Sequence, residues 1–130
     1  MTEEELLQQP EDAYMNNQQR AFFRELLLQQ RRELQDHIAE AFDDLSKFEP
    51  SSDPADAGST EEQRQAHLRF LEREKKLLDK IDHSLDLLAR GEYGWCEDTR
   101  EPIGLHRLLL RPTATLSFEA KEAHKNTAMV

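Results

Sequence analysis

The 130 residues set 17 Lys and Arg against 27 Asp and Glu, a formal net charge of −10. Hydrophobic residues make up 37%, charged residues 34%, and there are 4 glycines, which is too little apolar content for an α/β enzyme core and suits an elongated helical protein. The negative charge opposes direct DNA binding, which needs clustered Lys and Arg; the single Cys96 excludes an intramolecular disulfide framework; and no apolar run reaches membrane-spanning length.

Residues 1–15 form an N-terminal lead-in. Its acids (Glu3, Glu4, Glu5, Glu11, Asp12) and Pro10 suggest one helical turn at Leu6 and Leu7 and no assigned function. It lacks the basic-then-apolar layout of a signal peptide, so a cytoplasmic protein is expected. Residues 16–90 read as an antiparallel coiled-coil hairpin. Asn16 or Asn17 caps the first arm, whose apolar residues Leu27, Leu34, Ile38, Ala41, Leu45 and Phe48 are spaced 7, 4, 3, 4 and 3 apart, a coiled-coil seam. A turn with two prolines and one glycine follows, within an acidic tip at 49–62. Ser59 or Thr60 is expected to cap the second arm, which runs to Arg90 on a seam of Leu71, Leu78, Ile81, Leu85 and Leu88. Arms of about 30 residues give a rod of roughly 45 Å at 1.5 Å rise per residue. Near the turn Arg64 and His67 replace seam leucines, so the distal end packs less firmly and stays approachable.

Residues 91–130 change texture. They hold three of the four glycines and the only Trp, and are expected to form a globular knob of turns and short strands. Ser117 and Glu119 look like the cap and first turn of a C-terminal helix reaching about His124. The fold class is therefore mainly α, a two-helix hairpin carrying a small knob.

The knob sequence Gly91-Glu92-Tyr93-Gly94-Trp95-Cys96-Glu97-Asp98-Thr99, with Pro102-Ile103-Gly104, Arg111-Pro112-Thr113-Ala114 and Ser117-Phe118-Glu119-Ala120, resembles the zinc-finger end of the DksA/TraR family. The resemblance extends from about Tyr14 to Lys125 and is closest to the zinc-free branch of that family. The family's four zinc-ligand positions match Cys96, Thr99, Ser117 and Ala120. One thiolate cannot supply the four N or S donors of a structural zinc ion, so no zinc is expected. The folding free energy that a structural zinc supplies, on the order of 10 kcal/mol, must then come from packing of Tyr93, Trp95, Ile103, Leu105, Leu108, Leu110, Leu116 and Phe118. His106 and His124 read as scattered surface histidines.

The family carries D-x-x-D-x-A at the hairpin turn, matched here by Asp53 and Asp56, with Ala57 next to Gly58 where the motif's alanine falls. From composition alone these acids are solvated capping chemistry. The resemblance instead implies a tip that enters the secondary channel of bacterial RNA polymerase and contacts its active centre, modulating initiation together with the alarmone ppGpp. Ribosomal RNA promoters would be turned down and amino-acid biosynthesis promoters up. It further implies contact of ppGpp at the polymerase interface with Arg73, Leu77, Lys80, Arg111 and Lys121. The expected molecule is a monomeric, zinc-independent effector and not an enzyme, in use when zinc is scarce. Two other classes remain: a Gre-type transcript-cleavage factor, and a non-catalytic coiled-coil adaptor.

Overall fold

The computed structural model describes residues 1–47 and 54–128, with the backbone alone at 54–57 and 128. Among the described residues, five α-helices follow in chain order: α1 (Glu3–Leu7), α2 (Asn17–Ser46), α3 (Pro54–Arg90), α4 (Leu105–Leu110) and α5 (Phe118–Ala128). The two long helices α2 and α3 pack as an antiparallel hairpin, as their seams require. The chain divides into two compact units, one of Met1–Leu28 with Ile81–Val130, the other of Gln29–Lys80.

In the first unit the lead-in is ordered by local chemistry. Thr2 Oγ1 accepts the Glu5 N–H at 3.2 Å, and Glu3, Glu4 and Glu5 sit in the first turn of α1, where carboxylates favour the positive end of a helix. This short helix delivers Leu6, fully buried, into the core. The start of α2 is settled in favour of Asn16, whose Oδ1 accepts the Gln19 N–H at 2.8 Å. Buried Gln19 returns the favour, its Oε1 accepting the Met15 N–H at 2.7 Å, a capping box displaced by one residue. Phe23, Leu27, Ile81 and Leu88 bury the seam, and Phe23 meets Tyr93 with ring centroids 5.5 Å apart.

The second unit holds Leu34, Ala41 and Leu71 buried, with Ile38, Leu45 and Leu78 half-buried. Phe48 lies outside the described residues. α3 begins at Pro54 and not at a Ser59 or Thr60 cap. Proline suits a first helical position because its missing N–H has no partner there and its φ is already helical. Ser59 and Thr60 therefore lie inside the helix.

The knob also departs from expectation. Among the described residues it holds no strand, only an isolated antiparallel bridge between Trp95 and Pro102, and the segment Leu105-His106-Arg107-Leu108-Leu109-Leu110 winds into α4. Tyr93, Ile103 and Leu108 are core residues, as expected. Leu110, Phe118 and Trp95 are not: they are 85%, 59% and 37% exposed. α5 starts one residue after Ser117 and runs past His124 to Ala128.

Candidate functional site: the thiol nest, the acidic tip and the basic positions

The knob is threaded by glycines that accept backbone no other residue tolerates well. Gly94 has φ +91°, and a Cβ there would meet Met15 Cγ and Sδ at 3.0 Å. Its carbonyl accepts the Tyr14 hydroxyl at 2.5 Å, while the same Tyr14 oxygen accepts the Gly104 N–H at 3.0 Å. Tyr14 thus ties the lead-in to both sides of the Trp95 loop, and its ring meets Trp95 edge-on at 5.2 Å. Burial, outweighing hydrogen bonds from the Gly104 and Ile103 amides, raises the Tyr14 pKa and keeps the phenol protonated.

Inside this frame lies Cys96, fully buried and a free thiol. Its backbone is locked, with its N–H on the Glu101 carbonyl at 2.8 Å and its carbonyl accepting the Arg100 N–H at 2.9 Å. Burial pushes its pKa up, but hydrogen bonds from the Thr99 hydroxyl, the Ser117 and Thr99 amides and the Ser117 hydroxyl outweigh it and bring the pKa down to about 6. Ser117 serves a second purpose, because its Oγ accepts the Ala120 N–H at 3.2 Å as the cap of α5. Three of the four degenerate ligand positions therefore meet, a thiol and two hydroxyls that hydrogen-bond it, while the fourth, buried Ala120, joins them through its N–H on Ser117 Oγ. This set does not fit a structural zinc ion, which requires four thiolate or imidazole donors in a tetrahedron. Among the described residues, no group of three or more His, Cys, Asp or Glu is placed to hold a metal ion.

Two histidines anchor the loop that follows Cys96. His83 Nε2 of α3 lies 3.4 Å from Glu97 Oε1, and His124 Nε2 of α5 lies 2.5 Å from Asp98 Oδ2. Neither pair was legible as a pair in sequence, since 14 and 26 residues separate the partners. His124 is a surface residue, as expected, and makes a specific contact there with Asp98. Tyr14 was missed as well: nothing local announces contacts 80 and 90 residues away.

The remaining expected positions are distributed as follows. Asp53 lies outside the described residues; Asp56 and Ala57 are on the first turn of α3, described by backbone alone. Arg73, Leu77 and Lys80 recur at i, i+4 and i+7 on α3, all exposed, Leu77 at 42%. Arg111 caps the C-terminal end of α4 with its N–H on the Arg107 carbonyl at 2.8 Å, and Lys121 in α5 bonds the Ser117 carbonyl at 2.9 Å through its backbone. Both side chains belong to exposed residues. The three α3 positions fall in the Gln29–Lys80 unit and the other two in the unit that holds the knob. Among the described residues, no helix is long and apolar enough to cross a membrane.

Two family models match this chain: the N-terminal domain of DnaK suppressor protein DksA over residues 19–88, and the prokaryotic dksA/traR C4-type zinc finger over residues 91–126. The RNA polymerase-binding transcription factor DksA of Caulobacter vibrioides is 41% identical over 121 residues, 92% of this chain and 85% of that protein. Its counterpart of the same description in Escherichia coli K12 is 35% identical over 118 residues, 88% of this chain and 76% of that protein. Among solved structures, transcription factor DksA2 from Pseudomonas aeruginosa aligns with a TM-score of 0.92 at 60% identity, covering 99% of this chain and 100% of that one. With hairpin and knob each matched by its own model and relatives alike across both, the chain belongs to the DksA/TraR family.

Proposed function

We propose that this chain is a zinc-independent transcription regulator that binds bacterial RNA polymerase through its secondary channel and modulates initiation in concert with ppGpp. The observation that carries the reading is the likeness, over 92% of the chain, to a relative described as an RNA polymerase-binding transcription factor. The knob supports the zinc-independent part of the reading. Where a C4 finger would spend thiolates on metal, Thr99 and Ser117 hydrogen-bond a single thiol and Ser117 caps the helix behind it.

The chemistry at the tip is electrostatic. Asp53 and Asp56 carry negative charge toward a centre lined with basic side chains and metal-held phosphates, where carboxylates bias a mobile basic element without performing a reaction. They do not form a nucleophile and base, so the protein acts as an effector. Arg73, Lys80, Arg111 and Lys121 supply the cations that a tetraphosphate requires, Arg by bidentate pairing and Lys as a point charge. The cytoplasm, where polymerase and alarmone occur, is the compartment of action.

Open-complex lifetime at a ribosomal RNA promoter tests this directly. The wild-type chain is expected to shorten it, more so with ppGpp present, and Asp53→Asn/Asp56→Asn to bind polymerase yet leave the lifetime unchanged. A fully active double variant contradicts the tip mechanism. Stimulated transcript cleavage in place of a changed lifetime assigns the chain to the Gre type.

A further inference from the structure

Ala41 on α2 and Ala66 on α3 leave a groove of about 580 Å³ within the Gln29–Lys80 unit. Methyl groups cannot fill the space that leucines fill elsewhere along the seam, and His67, next to Ala66 in the chain, takes a seam position. Half-buried Phe70 supplies an apolar wall. Glu40 and Asp44 from α2 and Glu74 from α3 place carboxylates around it, and among the described residues no Lys or Arg is in the lining. Two histidines, His37 and His67, complete the lining. The surrounding chain has the same sign: from Glu33 to Glu62 there are ten acids and one base, Lys47. That lysine stays exposed outside the lining while reaching Asp43 at 3.3 Å and Asp44 at 3.7 Å.

An apolar wall beneath a carboxylate rim selects a side chain that is apolar along its stem and cationic at its head, and an aromatic face adds attraction for the cation. We infer that this groove docks a basic segment of RNA polymerase, a helix or loop whose Arg or Lys lays its stem along Phe70 and Ala66 and its head among Glu40, Asp44 and Glu74. The inference rests on the polymerase reading above and adds a second contact, on the arm and apart from the Asp53 and Asp56 tip. Nucleic acid is repelled by the same rim.

The test uses the full chain and purified bacterial polymerase holoenzyme. Glu40→Gln/Asp44→Asn/Glu74→Gln keeps side-chain size and removes the charge; Ala66→Phe fills the groove and keeps the charge; circular dichroism reports helix content for both. Each is expected to weaken binding on the order of tenfold, the triple variant also with a shallower salt dependence. A photo-crosslinker at position 66 is expected to capture a polymerase peptide bearing Lys or Arg. Wild-type binding that both variants match overturns the groove inference and leaves the polymerase reading standing. Absence of wild-type binding overturns both. Self-association that the substitutions abolish, with polymerase binding unchanged, overturns the inference and gives the groove to a second copy of this chain.

Discussion

Tyr93 is 2% exposed, and its hydroxyl donates to the Pro112 carbonyl at 2.7 Å. Burial, with the Tyr14 phenol as a smaller cause, raises its pKa far above the ordinary range, so it is a permanent donor. Tyr93→Phe keeps the ring packing and leaves the Pro112 carbonyl unsatisfied; thermal or denaturant unfolding is expected to show a loss of about 1–3 kcal/mol. Cys96 behaves differently because its pKa is lowered from 9.0 to about 6. An acid depressed in the folded state stabilises that state fully above its unfolded pKa, and this stabilisation is lost as pH falls from 9.0 to about 6. Ultraviolet thiolate absorbance is expected to titrate near 6 in the native protein and to move upward in Thr99→Val; an unmoved midpoint contradicts the hydroxyl's role. The four degenerate ligand positions were legible because a family motif fixes their spacing. Their new partnership was not legible in composition, since it depends on hydroxyl orientation set by the Arg100 turn and the α5 cap.

At the level of elements, the seam was readable because sevens, fours and threes are a property of sequence alone. Leu34, 5% exposed, sits in that seam, and Leu110, 85% exposed, does not belong to any core. Leu34→Ala is expected to cost about 2–5 kcal/mol, whereas Leu110→Ala stays within about 0.5 kcal/mol of wild type; equal losses in denaturant unfolding contradict the packing described here. Leu110 departs from the expected core because a leucine run has no period in six residues and α4 is too short to reveal which side faces inward; Phe118 departs from it as the first residue of α5, where a lone aromatic has no earlier turn to set its face. The start of α3 at Pro54 was misread for a related reason: proline and glycine in the turn signalled a break, while proline is also the residue that opens a helix. Leu6 illustrates the opposite failure, a single buried side chain on a five-residue helix with no periodicity to announce it.

For the whole molecule, the net charge of −10 is unevenly spread, with ten acids and one base between Glu33 and Glu62. Family, hairpin and knob were legible because motif and heptad spacing survive in the linear chain. The long-range ties were not: Tyr14 to Gly94 and Gly104, His83 to Glu97, and His124 to Asp98 join residues that only folding brings together. On the function proposed above, those ties and the Cys96 hydrogen bonds stand where a C4 finger has its metal, and folding and polymerase regulation are both expected to proceed without zinc. The most direct measurement is open-complex lifetime at a ribosomal RNA promoter after exhaustive chelation of the regulator, with a four-thiolate relative in parallel. The expected result is an unchanged shortening by this chain and a loss of activity by the relative. Loss of this chain's activity on chelation, restored by added zinc, would contradict it.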